Sequence, residues 1–339
     1  MLISKRKSEH IQISLNQDVC FRNKTSGFET YELVHCALPE MDVGDVCTMT
    51  DFLGKRLSLP LMICGMTGGS PESEEINSLL AEACREEGAA LGVGSQRQIL
   101  ENHDYLESYR IARRVYPDGV IVGNVGAVEV ATLRDISPFR RMVDLLEANA
   151  MAVHLNPLQE VLQPEGEARF RGVLEGIERL VRGLGVPVIV KEVGCGISEA
   201  VARRLVDAGV EYIDVAGAGG TSWAGVESHW NTVQKLALRF WDWGIPTAES
   251  LRMVARIRGA RVIASGGIRD GVTMAKALAL GSDLCGAALP FLRALMDGKV
   301  ERLISLIQSW REELRTAMFL TGCRRIGDLR RKGILIKKE

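Results

Sequence analysis

The sequence predicts an α/β chain closed into a (β/α)8 barrel, and three observations carry that reading. A short apolar run, a turn bearing Gly or Asn, and a charged amphipathic stretch recur in that order about eight times between residues 59 and 298. Each run has the length and continuous apolar character of a strand covered on both faces. Nearly every run ends in Gly, Ser, Thr, Asn or a charge, where a barrel of parallel strands gathers its binding groups. An open doubly wound sheet also satisfies the alternation, but eight consecutive units favour closure.

Residues 1–58 read as an irregular N-terminal extension with short strand-like pieces, opening on the polar, basic Ser4-Lys5-Arg6-Lys7-Ser8-Glu9-His10. The strand runs follow as Leu59–Gly65, Ala89–Ser95, Val120–Gly126, Ala150–Asn156, Pro187–Val193, Glu211–Gly217, Arg261–Gly267 and Ser282–Ala288. Between them, Glu72–Glu87 sets Ile76, Leu79, Leu80 and Ala83 at i, i+3, i+4, i+7, one face of a helix. Ser198–Ala208 opens on an N-cap serine and carries Val201, Leu205 and Val206 on one side. The barrel would occupy 59–298 of a single domain spanning 1–339. Residues 299–339 would add a helix, Val300–Leu314, and a basic tail running from Arg324-Arg325 to Arg330-Arg331-Lys332, read as a solvated or subunit-contact segment.

Composition narrows the function. With Lys+Arg 42 against Asp+Glu 43, the net charge of -1 gives no case for nucleic acid or an acidic membrane surface as partner. The eight cysteines form no CxxC pair and several lie in apolar runs such as Leu61-Met62-Ile63-Cys64, as buried reduced thiols do. No signal peptide or membrane span is legible, so the expected compartment is the cytoplasm.

The strand ends supply the chemistry. Gly266-Gly267 after the seventh run, Gly286-Ala287-Ala288 after the eighth and Gly219-Gly220-Thr221 after the sixth would let backbone N–H groups approach a phosphate. Lys191 ends the apolar Val188-Ile189-Val190. It would bind an anion or act with a shifted pKa, unless a core carboxylate claims it. His154 ends the fourth run, as a site residue or a satisfied core histidine, and Glu160 could ligate a hard cation such as Mg²⁺ or lie on the surface.

These residues resemble the type 2, flavin-dependent isopentenyl diphosphate isomerases over essentially the whole chain. The matching strings are Arg6-Lys7-Ser8-Glu9-His10-Ile11, Met66-Thr67-Gly68-Gly69, Ser95-Gln96-Arg97, Gly123-Asn124, His154-Leu155-Asn156 with Gln159-Glu160, and Val190-Lys191-Glu192. Gly217-Ala218-Gly219-Gly220-Thr221-Ser222-Trp223, Ser265-Gly266-Gly267-Ile268-Arg269 and Thr321-Gly322 complete the set. The resemblance implies a TIM barrel that moves the double bond of isopentenyl diphosphate to give dimethylallyl diphosphate, a redox-neutral step of isoprenoid biosynthesis. Reduced FMN would serve as acid/base cofactor, NADPH as the activating reductant, and the subunits would assemble as tetramers or octamers.

Carried over by position, the resemblance assigns FMN to Met66, Thr67, Gly68, Ser95, Asn124, Lys191, Ala216, Thr221, Gly267, Ile268, Arg269, Ala287 and Ala288. Substrate falls to Arg6, Lys7, His10, Ser95, Gln96, Arg97, His154, Asn156 and Gln159, and Mg²⁺ to Glu160. His154, Gln159 and Lys191 are the implied catalytic residues, with Gln159 orienting because an amide is a poor acid. Relatives often carry Ser where this chain has Ala216, which removes one hydroxyl contact to the flavin. The nearest rival is an FMN-dependent 2-hydroxy acid oxidase on a similar barrel. It needs a histidine base that Ala218–Trp223 lacks. A Schiff-base role for Lys191 in a sugar-phosphate lyase, and a flavin-binding protein with a dead site, are the other readings.

Overall fold

The computed structural model describes residues 2–101, 104–132, 134–164, 166–230 and 232–338. Eight parallel strands close a barrel: β1 (Leu61–Ile63), β2 (Ala90–Gly92), β3 (Ile121–Gly126), β4 (Ala150–Leu155), β5 (Val188–Glu192), β6 (Tyr212–Asp214), β7 (Arg261–Ser265) and β8 (Leu284–Ala287). Each falls inside its expected run. Closure comes from β8 pairing with β1, Cys285 opposite Leu61. The strand period of two splits each run between two cores. Ile63, Leu91, Val125, Val153, Val190 and Ile213 face the surrounding helices. Met62, Ala90, Val122, Ala152, Ile189, Tyr212 and Leu284 fill the barrel interior.

The expected helices form at Ser73–Glu87 and Glu199–Asp207, and the Ser198 side chain accepts from Val201 N–H as an N-cap. The hairpin Thr50–Phe52/Lys55–Leu57 plugs the bottom of the barrel, its Phe52 ring edge-on to Tyr212 at 5.7 Å.

Two stretches differ from expectation. Residues 2–16, read as irregular, form an α-helix, Leu2–Asn16, lying across the top of the barrel. Its inward face is Lys7, His10, Ile11 and Ser14, at i, i+3, i+4, i+7. Polar residues occupy most of the stripe that apolar ones usually mark, with Ile11 and, at i+4, Leu15 the apolar members, so the helical period leaves only a weak hydrophobic trace. The segment Leu289–Leu320 is two helices separated by non-helical backbone at Gly298 and Lys299, and the second runs past the expected end at Leu314. That break made the helix read as starting at 300. The strand-like pieces of the extension are real: Tyr31–Leu33 pairs antiparallel with Leu335–Lys337 from the tail. Arg330 donates to the Ser282 carbonyl and Asp283, which ties the tail to the barrel.

Candidate active site

At the top of the barrel, neighbouring strand ends are in register: Gly126 opposite His154, His154 opposite Lys191, Lys191 opposite Asp214. A cavity of about 440 Å³ opens there. Of the residues expected to hold FMN, Met66, Lys191, Ala216, Thr221, Gly267, Ile268, Arg269, Ala287 and Ala288 line it. Thr67, Gly68, Ser95 and Asn124 do not. Thr67 donates to Asn77, Gly68 N–H donates to Ser73 Oγ at 3.1 Å, and the Ser95 carbonyl accepts from Tyr109 at 2.7 Å. They stand in the adjoining loops and strand end, where the Gly68 and Ser95 carbonyls hold Lys7 and Asn124 meets His154.

The wall suits a phosphate-bearing flat ring. Gly267 has φ 75, and a Cβ there would come 2.7 Å from the Gly219 carbonyl oxygen and 2.9 Å from Ser26 Cβ. Gly267→Ala is therefore expected to weaken FMN retention at least about 10-fold, measured by fluorescence titration of the stripped protein, because backbone must shift in the cavity wall. The helix Gly271–Ala279 is capped by Asp270, which accepts from Thr273 N–H at 2.6 Å. The helix beginning at Leu289 has no side-chain cap, and its first turn, with Arg293, faces the cavity. Its N–H groups and dipole favour an anion.

Lys191 Nζ donates to the Glu192 carbonyl at 2.6 Å and stands 4.0 Å from Asp214 Oδ2. Asp214 is fully buried. Its Oδ1 accepts from Ser265 at 2.6 Å and from Ala216 N–H at 3.2 Å, and burial raises its pKa above the ordinary carboxylate value. Ala216 itself adopts φ 36, left-handed backbone in the cavity wall.

On the other side the N-terminal helix delivers its side chains. Lys7 Nζ donates to the carbonyls of Gly68 (2.6 Å) and Ser95 (2.8 Å) and to Tyr109 Oη (3.1 Å). His10 sits edge-on to Trp223 and Trp230, its Nε2 3.2 Å from Glu227 Oε1. Gln159 donates to the same Glu227 oxygen at 3.3 Å. Asn156 Nδ2 donates to Gln159 Oε1 and Glu160 Oε1, and Glu160 Oε2 accepts from Glu167 N–H. Arg97 pairs with Glu129, and Arg6 lies one position before Lys7 on the helix. Gln96 has a different place from the one expected. It is fully buried, donating to the Met142 carbonyl and accepting from Asn124 N–H, and so braces β3.

Glu227 escaped the sequence reading. It is fully buried, and its Oε2 has no hydrogen-bond partner. A lone acid in the apolar Ala224-Gly225-Val226-Glu227 was the signal available. Among the described residues, no three His, Cys, Asp or Glu side chains converge to hold a metal unaided. Glu160 fits Mg²⁺ in the way that ion usually binds, through one carboxylate plus ligand phosphate oxygens and water.

His154 Nδ1 lies 2.8 Å from Asn124 Oδ1. Burial, then the charges of Lys191 and Lys7, push its pKa down to about 3. The imidazole is neutral throughout the physiological range. The unfolded chain takes up the proton near 6.5 and the folded one resists it, so stability falls as pH drops from 6.5 toward 3. Melting curves should show His154→Gln losing less stability than the parent over that window, with no difference in slope above pH 7.

The family model described as FMN-dependent dehydrogenase matches residues 2–103 and 143–336. The chain is 45% identical to the isopentenyl-diphosphate delta-isomerase of Pelodictyon phaeoclathratiforme, over 98% of this chain and 97% of that protein. It is equally 45% identical to the isopentenyl-diphosphate delta-isomerase of Methanothermobacter thermautotrophicus, over 99% and 94%. Among solved structures, a putative lactate oxidase of Pediococcus acidilactici superposes with a TM-score of 0.72 at 17% identity, over 100% of this chain and 94% of that one. A mandelate oxidase gives 0.67 at 21%, over 99% and 97%. These two share the barrel; their identity is too low to carry their chemistry. No helix among the described residues is long and apolar enough to cross a membrane. The chain belongs to the FMN-dependent dehydrogenase family and, within it, to the type 2 isopentenyl-diphosphate delta-isomerases.

Proposed function

We propose that the protein interconverts isopentenyl diphosphate and dimethylallyl diphosphate, with FMN in the cavity beside Lys191 and Mg²⁺ on the diphosphate at Glu160. The observation that carries this reading is the linked set Asn156, Gln159, Glu160 and Glu227 facing His10 of the N-terminal helix, on a chain 45% identical to isomerases over nearly its full length. FMN, when bound and reduced, supplies the proton-exchanging centre of a redox-neutral double-bond shift.

The protein's own groups do the rest. Lys191 offers a cation to negative charge on the ring. Arg97, Lys7 and Arg6 hold the diphosphate, with Ser95 at the same loop. Neutral His154, whose one N–H is given to Asn124 Oδ1, adds no charge at the mouth and leaves Nε2 as an acceptor. Gln159, tied to Glu227, orients the alkene end, and the helix over the mouth excludes water. The reading extends to NADPH as reductant and to a cytoplasmic homo-oligomer, tetramer or octamer. The free cysteines and the exposed Val34, Leu38, Leu320 and Ile336 around the outer ribbon are in keeping with that setting.

Anaerobic conversion of isopentenyl diphosphate tests it. Product is expected only when FMN is reduced, by dithionite or NADPH, and Mg²⁺ is present. Fully reduced, FMN-loaded protein that makes no product with Mg²⁺ would overturn it. Reduction of the flavin by a 2-hydroxy acid would favour the oxidase instead.

A further inference from the structure

Glu129 follows β3 on the short helix Ala127–Thr132, only 9% exposed, and no sequence motif singles it out. Its Oε1 lies 3.1 Å from Arg97 Nε, the arginine after β2 that the proposed function gives to the diphosphate. Its Oε2 covers Gly126: a Cβ at that glycine would fall 2.2 Å from Oε2 and 3.3 Å from His154 Nε2. The carboxylate therefore sits beside the His154 ring, at the end of the strand next to β4. Burial first, then the like charges of Glu160 and Glu167, raise its pKa against the pull of Arg97.

The charges at this end of the barrel make the pairing consequential. Three buried carboxylates, Glu129, Glu160 and Glu227, gather there. Of the cations, Arg97 is matched by Glu129, and Lys7 donates to Gly68, Ser95 and Tyr109. His154 is neutral. Three buried carboxylates thus stand against Arg6, Lys7, Arg97 and Lys191, so much of the positive charge a diphosphate would meet is already opposed, and each unit charge within several Å shifts its affinity appreciably in a partly desolvated site.

We propose that Glu129 is a positioning residue that makes diphosphate binding conditional on a divalent cation: it fixes Arg97 at the mouth and, as its counter-charge, keeps that arginine from retaining the anion until metal balances the site. The proposal rests on the diphosphate reading given above. It differs from a structural brace in a measurable way. A brace helps ligand binding under all conditions, whereas a counter-charge opposes anion binding when metal is absent.

Glu129→Gln keeps the shape and an acceptor for Arg97 but removes the charge. The probe is inorganic pyrophosphate, titrated calorimetrically into FMN-loaded protein, once with EDTA and once with Mg²⁺. Wild type should bind at least about 10-fold more weakly in EDTA than with Mg²⁺. E129Q should bind about 10-fold more tightly than wild type in EDTA, and nearly the same as wild type with Mg²⁺. Adding Arg97→Gln to E129Q should abolish the gain, which places the effect on the pair. Equal EDTA affinities in wild type and E129Q, or weaker binding by E129Q in both conditions, would overturn the proposal. Glu129→Ser is the second variant, with FMN retention as the folding check; if neither variant retains FMN, Glu129 is a brace and the proposal falls. Pyrophosphate that binds no protein even with Mg²⁺ would instead remove the diphosphate reading on which the proposal stands.

Discussion

Glu160→Gln is expected to lower kcat/KM for isopentenyl diphosphate about 10²–10³-fold and to raise the Mg²⁺ concentration needed for half-maximal rate, while FMN binding stays intact. Glu160 is nine-tenths buried, with one oxygen accepting from Asn156 and the other from Glu167 N–H. A carboxylate held this firmly loses little freedom on binding a metal, and a metal stabilising a diphosphate in a dry site is worth several kcal/mol. The neutral amide keeps the shape but turns one oxygen into a donor. Steady-state kinetics across a Mg²⁺ series decide the matter. An unchanged Mg²⁺ requirement in E160Q would move the metal elsewhere.

Lys191→Met should weaken FMN binding by about 10–100-fold, the worth of one charge-assisted hydrogen bond. It should also change how stability depends on pH. Asp214 is buried beneath Lys191, and its pKa is already raised by burial against the lysine's opposing pull. Without that cation the folded state holds the Asp214 proton more tightly than the unfolded chain does. The variant's stability then falls as pH rises from the unfolded carboxylate pKa toward the folded one. Melting of the FMN-free variant and parent at pH 5 and pH 8 checks the sign: the deficit should be larger at pH 8. A deficit independent of pH would mean that the two side chains do not share charge across their 4.0 Å.

The barrel was legible because its strands are covered on both faces. Continuous apolar runs bury both faces of a strand, and the Gly, Asn or charge that ends each run marks where the chain emerges at the mouth; all eight strands fell within such runs. The N-terminal helix was not legible, because Lys7, His10 and Ser14 stand where an amphipathic pattern would put leucines. Residues recognised by their strings divided in the same way. Lys191, Ala216, Thr221 and Gly267 through Arg269 reach the cavity because they sit at strand ends. Gln96 lies within a matching string yet points into the barrel wall, since a string fixes spacing and not the direction of a side chain. Glu227 and Glu129 contact partners distant in sequence, Gln159 and Arg97, and no linear pattern reports such a pairing.

The segment around the mouth also bears on how the protein is made. Residues that frame the entrance early in the chain are held by late ones: Lys24 by the Gly244 carbonyl 220 positions on, Cys20 by Trp241 at 221, and Ser14 by Arg293 at 279. Such contacts carry the full loop-closure cost and form late in folding. On the ribosome, residues 14–24 emerge long before the surfaces that receive them. Until then, a basic helix bearing Lys7 and His10 is available to chaperones and proteases. Synthesis arrested before β8 would yield a partly formed barrel without its entrance, so pulse-labelled nascent chains should gain protease resistance at residues 5–24 only after those near 293 have left the exit tunnel.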